Sequence, residues 1–71
     1  MDMIISKIAY LDLLVYNIFS KRYCHRTSVE ADVEGDLVKA IKVSYRVFRH
    51  RGITGFEITI SKGKTDIKIK G

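Results

Sequence analysis

At 71 residues the chain makes one small domain, and a chain of this size buries only about 60% of the surface it exposes when unfolded. Apolar content of 46% and charged content of 30% exclude a disordered tail. The lone Cys24 excludes an intrachain disulfide and points to a reduced, cytoplasmic setting. The formal net charge of +5 is unevenly placed. Residues 30–36 hold Glu30, Asp32, Glu34 and Asp36, whereas residues 37–71 hold nine Lys or Arg against Glu57 and Asp66. Such a basic half suits an anionic partner, or serves solubility alone.

Residues 3–21 predict a helix. At 100° per residue, Ile4, Ile8, Leu11, Val15, Ile18 and Phe19 fall on one stripe. Asp2, Lys7 and Asp12 exclude both a signal peptide and a spanning helix, which needs about 20 mostly apolar residues. Ala9, Tyr10, Leu13 and Tyr16 lie away from the stripe, so the helix is apolar on both sides and offers a partner interface. A second copy would supply core that this length lacks, and both a homodimer and a monomer stay open.

Residues 27–36 alternate Val29, Ala31 and Val33 against Ser28, Glu30, Asp32 and Glu34, the pattern of a half-buried strand with an acidic wet face. Gly35-Asp36 ends it, with Asp36 a candidate N-cap. Residues 37–50 then predict a second helix, with apolar residues over an arc of about 220° and Gly52 just past its end. "GFEITISKGKTDIKIKG" predicts a hairpin about Lys62-Gly63. In that register Ile60 faces Thr65, Ile58 faces Ile67 and Phe56 faces Ile69; Thr59 faces Asp66 and Glu57 faces Lys68. The order α-β-α-β-β implies an α+β fold, two helices on one face of a three-stranded mixed sheet with a right-handed β-α-β crossover.

Cys24-His25 is the one neighbouring nucleophile and base, flanked by Arg22 and Arg26. Adjacent side chains on an extended chain point apart, and no Ser-centred, paired-carboxylate or phosphate-loop motif accompanies them, so no enzyme is expected. Cys24, His25 and His50 fall short of a structural zinc set, and the acidic run lacks the central Gly and closing Glu of a calcium loop. No cofactor, metal, membrane or small-molecule substrate is implied.

The cations are the main candidate. Lys39, Lys42, Arg46, Arg49 and His50 fill the polar arc of the predicted second helix, Arg51 continues it, and Lys62 and Lys64 sit at the hairpin tip. They could follow a DNA or RNA backbone, or an acidic protein surface, without reading bases. The run "SVEADVEGDLVKAIKVSYRVFRHRGITGFEITI", residues 28–60, resembles the strand-helix-strand plan of many small phage and viral host-modulating proteins. That resemblance implies a viral or mobile-element accessory protein that binds a host macromolecule.

Overall fold

Between residues 41 and 47, Ile41, Val43, Tyr45 and Val47 alternate with Lys42, Ser44 and Arg46. A period of two with β-branched and aromatic residues on one side is a strand, and a strand is what forms. The computed structural model describes residues 2–49 and 52–70, with the side chains of 4–48 and 52–70. Helix α1 (Asp2–Phe19) is followed by β1 (Cys24–Glu34), β2 (Leu37–Arg49), β3 (Gly52–Ser61) and β4 (Lys64–Lys70). The sheet runs β1-β2-β3-β4, each neighbour antiparallel.

The two-helix, three-stranded mixed sheet with a β-α-β crossover is therefore corrected to one helix on a four-stranded antiparallel meander. The strand-helix-strand resemblance of residues 28–60 loses its basis with it. The physical reason is the wide apolar arc: an apolar surface of about 220° fits a helix only when it is buried on two sides. The same residues satisfy a strand with one neighbour face. Asp36 is no N-cap either. Gly35, at φ +59°, and Asp36 form the two-residue turn that closes Glu34 onto Leu37, with glycine first as in a type II′ turn.

Two bulges tune β1 and β2. Arg26 faces Tyr45 and Ser28 faces Ser44, so Thr27 is extra; its Oγ1 donates to the Ser44 carbonyl at 3.2 Å. Cys24 and Arg26 before the bulge thus share a sheet face with Val29 and Ala31 after it. On β2 the extra residue is Lys39, between the pairs Asp32–Ala40 and Val33–Val38. The β3–β4 hairpin has the register its alternation predicts, Phe56–Ile69 through Ile60–Thr65. Lys62 and Gly63 both have positive φ, the type I′ geometry.

Helix α1 packs on the start of β1, on β2 and, through Phe56 and Ile58, on β3. Leu11 and Val15 pack on Cys24, Ile41, Val43, Tyr45, Val47, Phe56 and Ile58 to make the buried core. Phe19 reaches Phe56, with ring centroids 5.5 Å apart, and Phe56 stacks on Tyr45 at 5.2 Å. The helix ends where Ser20 adopts φ +70° and its N–H donates to the Tyr16 carbonyl at 2.9 Å. The 13 residues of β2 span about 43 Å, whereas the 18 of α1 span about 27 Å. Val33 and Leu37, at the far end of the β1–β2 hairpin, are exposed, and so is Val29 on the edge strand beside the fully buried Val43. β1 is accordingly not half-buried as its alternation predicts: only Cys24 is buried.

Candidate docking groove

One helix cannot cover four strands. Strands spaced about 4.8 Å apart make this sheet about 19 Å wide, and a helix with its side chains is about 10 Å across. α1 covers the inward residues of β2 and, on β3, Phe56 and Ile58, and the inward residues of β4 are left bare. The result is an apolar groove of about 460 Å³. Leu11, Leu14, Val15, Ile18 and Phe19 form one wall, and Phe56, Ile58, Ile67 and Ile69 form the floor and the other wall. Val47, Thr54 and Thr65 complete it. Ile18 is 72% exposed, Ile67 66% and Ile69 73%. Ile18, read from the sequence as part of the core stripe, belongs to this open flank instead.

The helix is held to the sheet by a polar tie. Asp12 accepts the Tyr45 hydroxyl proton at 2.5 Å and the Arg26 guanidinium at 2.9 Å. Burial, and then the hydrogen bond to and charge of Asp12, hold the Tyr45 phenol above its ordinary range. Burial first and Asp12 second also push the Cys24 thiol up, away from thiolate character. Cys24 is fully buried, while His25 lies exposed with its ring edge-on to Phe48 at 5.5 Å. The sequence neighbours thus diverge.

The predicted cationic stripe is dispersed by the change from helix to strand. Lys42 and Arg46 share the sheet face away from α1. Lys42 pairs with Glu30 at 3.3 Å, and Lys39 pairs with Glu34. Arg49 pairs its backbone with Gly52, and its side chain, Arg51 and His50 lie outside the described residues. Lys62 sits in the turn and Lys64 opens β4. Among the described residues, Arg46 alone of this set on β2 makes no ion pair. Glu57 faces Lys68 in register, yet its ion pair runs diagonally to Lys70. That bond, with Lys42 and Lys68 nearby, lowers the Glu57 carboxyl below its ordinary range despite some desolvation.

Of the predicted partner residues, Ala9, Tyr10 and Leu13 are exposed, and Tyr16 is partly buried against the core. Leu14, Ile18, Ile67 and Ile69 escaped the sequence reading as a site. Their signal was present: every inward position of β4 from Ile67 on is isoleucine, but the second predicted helix was expected to cover them. Among the described residues no helix is long and apolar enough to cross a membrane, and no three His, Cys, Asp or Glu cluster as metal ligands. Comparison with protein-family models, curated proteins and solved structures finds no match to this chain.

Proposed function

We propose that the protein is a non-enzymatic docking module that seats an amphipathic helix of a protein partner between α1 and the β4 flank of its sheet. One observation carries this: a single helix on a four-stranded sheet leaves an apolar groove of about 460 Å³ walled by Leu14, Ile18, Ile67 and Ile69. Helix-in-groove recognition uses such a surface, with i, i+3, i+4 and i+7 anchors entering it. The compartment proposed is the cytoplasm, supported by a single, buried thiol. The test is titration with an apolar fluorescent dye and with an amphipathic helical peptide. Both are expected to bind wild type and to lose binding in Ile67→Glu/Ile69→Glu, whose side chains are exposed and whose far-UV spectrum should not change. Equal binding by that variant would refute the reading.

A second reading, an anionic macromolecule on the sheet's other face and β4 tip, has one observation in favour. Lys62, Lys64, Lys68 and Lys70 are exposed within nine residues, opposed in sequence only by Asp66. Binding of DNA, RNA or an acidic protein there should weaken steeply with salt. It should also be lost in Lys64→Glu/Lys68→Glu, with the dye site intact. Salt-independent binding, or binding unchanged in that variant, would remove this reading.

A further inference from the structure

The sheet has two open edges, and their charges are opposite. β1 is exposed from His25 to Glu34, and β4 along its whole length. On the face away from α1 the charge alternates strand by strand. β1 carries Glu30, Asp32 and Glu34, β2 carries Lys42 and Arg46, and β3 carries Glu57. β4 carries Lys64, Lys68 and Lys70, with Asp66 the exception. The ion pairs on this face run between strands, Lys42 to Glu30, Lys39 to Glu34 and Lys70 to Glu57. Among the described residues, the edge-strand charges outside any ion pair are Asp32 on β1 and Lys64, Asp66 and Lys68 on β4. The series opens on acid and closes on base.

The main chain at both edges is set to the same pattern. In a two-residue hairpin the closing pair exchanges both hydrogen bonds, and bonded and non-bonded pairs then alternate. Counting from Ser61–Lys64, the even-numbered residues of β4 bond to β3, and Thr65, Ile67 and Ile69 aim N–H and C=O at the open edge. Counting from Glu34–Leu37, Val29, Ala31 and Val33 do the same on β1, because the extra residue at Lys39 lies on β2. These six residues also carry the edge side chains on the α1 face of the sheet, in register with Phe56, Ile58 and Ile60 or with Ile41 and Val43.

We infer that β4 of one copy pairs with β1 of the next, continuing the sheet head to tail. In a four-stranded meander β1 and β4 run in opposite directions. A neighbour in the same orientation therefore presents β1 antiparallel to β4, with every α1 on one face. Set Ile67 opposite Ala31, and Ile69 meets Val29 while Thr65 meets Val33. On the outer face Lys68 then meets Glu30 and Lys64 meets Glu34, opposite charges in directly facing pairs. Asp66 meets Asp32, the one like-charged pair, flanked by Lys64 and Lys68. Like edges fit worse. Two β1 edges oppose acid to acid throughout, and every antiparallel register of two β4 edges sets a lysine against a lysine. Copies repeat about every 19 Å and a helix is about 10 Å across, so neighbouring α1 helices clear each other. The pairing uses main-chain groups and leaves Ile67 and Ile69 facing the groove, so it does not rest on the docking reading.

The test is sedimentation equilibrium of wild type, Ala31→Pro and Ile67→Pro from micromolar to millimolar concentration. Proline is tolerated on an edge strand where the lost N–H faces solvent, so both variants should keep the wild-type far-UV spectrum. Wild type is expected to gain mass past the dimer, because a head-to-tail contact leaves one edge free at each end. Each variant keeps one usable edge and should stay monomeric alone. Their equimolar mixture should stop at the dimer, Ala31→Pro offering its β4 edge and Ile67→Pro its β1 edge. Lys64→Glu/Lys68→Glu lowers the net charge by four, from +5 to +1, which eases unspecific association. It should nevertheless weaken this contact at least about tenfold. A wild type monomeric throughout, or a mixture of folded variants that stays monomeric, would overturn the inference. So would a dimer that survives Ala31→Pro, the mark of β4 pairing with β4. Should a proline variant fail to fold, the charge variant decides, and association as tight as wild type would overturn it.

Discussion

Removing the Asp12 carboxylate tests how α1 is fastened. In Asp12→Ala the Tyr45 hydroxyl, in a residue only 1% exposed, loses its acceptor. An unsatisfied buried donor costs about 1–3 kcal/mol. The Arg26 pair, whose arginine side chain is 39% exposed, adds less than about 1 kcal/mol. The expected loss is about 2–3 kcal/mol, against roughly 4–10 kcal/mol for a domain of this size. At about 4–8 °C per kcal/mol, Tm should fall by roughly 10–20 °C. The assay is urea unfolding by circular dichroism at one fixed chain concentration, because association would shift the midpoint. Arg26→Ala should cost under about 1 kcal/mol. Asp12→Asn, which keeps an acceptor, should fall between the two. Adding Tyr45→Phe to Asp12→Ala should recover part of the loss, because no orphaned hydroxyl remains. If Asp12→Ala cost no more than Arg26→Ala, the buried hydroxyl would not be what Asp12 stabilises.

Three further outcomes are expected. The Tyr45 phenol has its folded pKa raised above the unfolded value, so its contribution is fully present below about pH 10 and declines above it. The decline should reach about 1.4 kcal/mol per pH unit, and Tyr45→Phe should flatten that alkaline limb in urea titrations at several pH values. Glu57 is shifted the other way, chiefly by Lys70. Its contribution is present above the ordinary glutamate range and lost as pH falls through its lowered value. Glu57→Gln should therefore show a shallower acid limb, and an unchanged acid midpoint would mean the pair is immaterial. Lys62, at φ +49°, sits where a type I′ turn favours asparagine. Lys62→Asn should stabilise the hairpin by about 0.5–1 kcal/mol, read as a rise in Tm.

The hairpin and the first helix were legible because each keeps one period throughout. Phe56, Ile58 and Ile60 alternate without exception, and so do Ile67 and Ile69. The second strand was not legible because its ends break the alternation. Val38, Ala40 and Phe48 are apolar at positions of the parity that carries Lys42 and Arg46, and the bulge at Lys39 turns Val38 toward the helix. Read whole, residues 37–50 fit a helix with two buried sides; read over 41–47 alone, they fit a strand. The charges held a second clue. Glu30 and Glu34 before Gly35-Asp36, with Lys39 and Lys42 after it, become cross-strand ion pairs once the chain folds back at that turn. In the helical reading these cations had no acid to meet and looked free for a phosphate. The groove was illegible for the same reason, since a second helix was already assigned to the surface it occupies.

Burial along the strands says where α1 lies. A lone helix on a four-stranded sheet buries most apolar surface when centred over the middle strands. Ile41, Val43, Tyr45 and Val47 of β2 and Phe56 and Ile58 of β3 are buried, whereas Val29 and Val33 of β1 and Ile67 and Ile69 of β4 are exposed. Asp12 reaches Arg26 on β1 and Tyr45 on β2, which fastens the helix from the β1 side. A helix tied there stays short of Ile67 and Ile69, and the carboxylate that interrupts its apolar run is what keeps the β4 flank open.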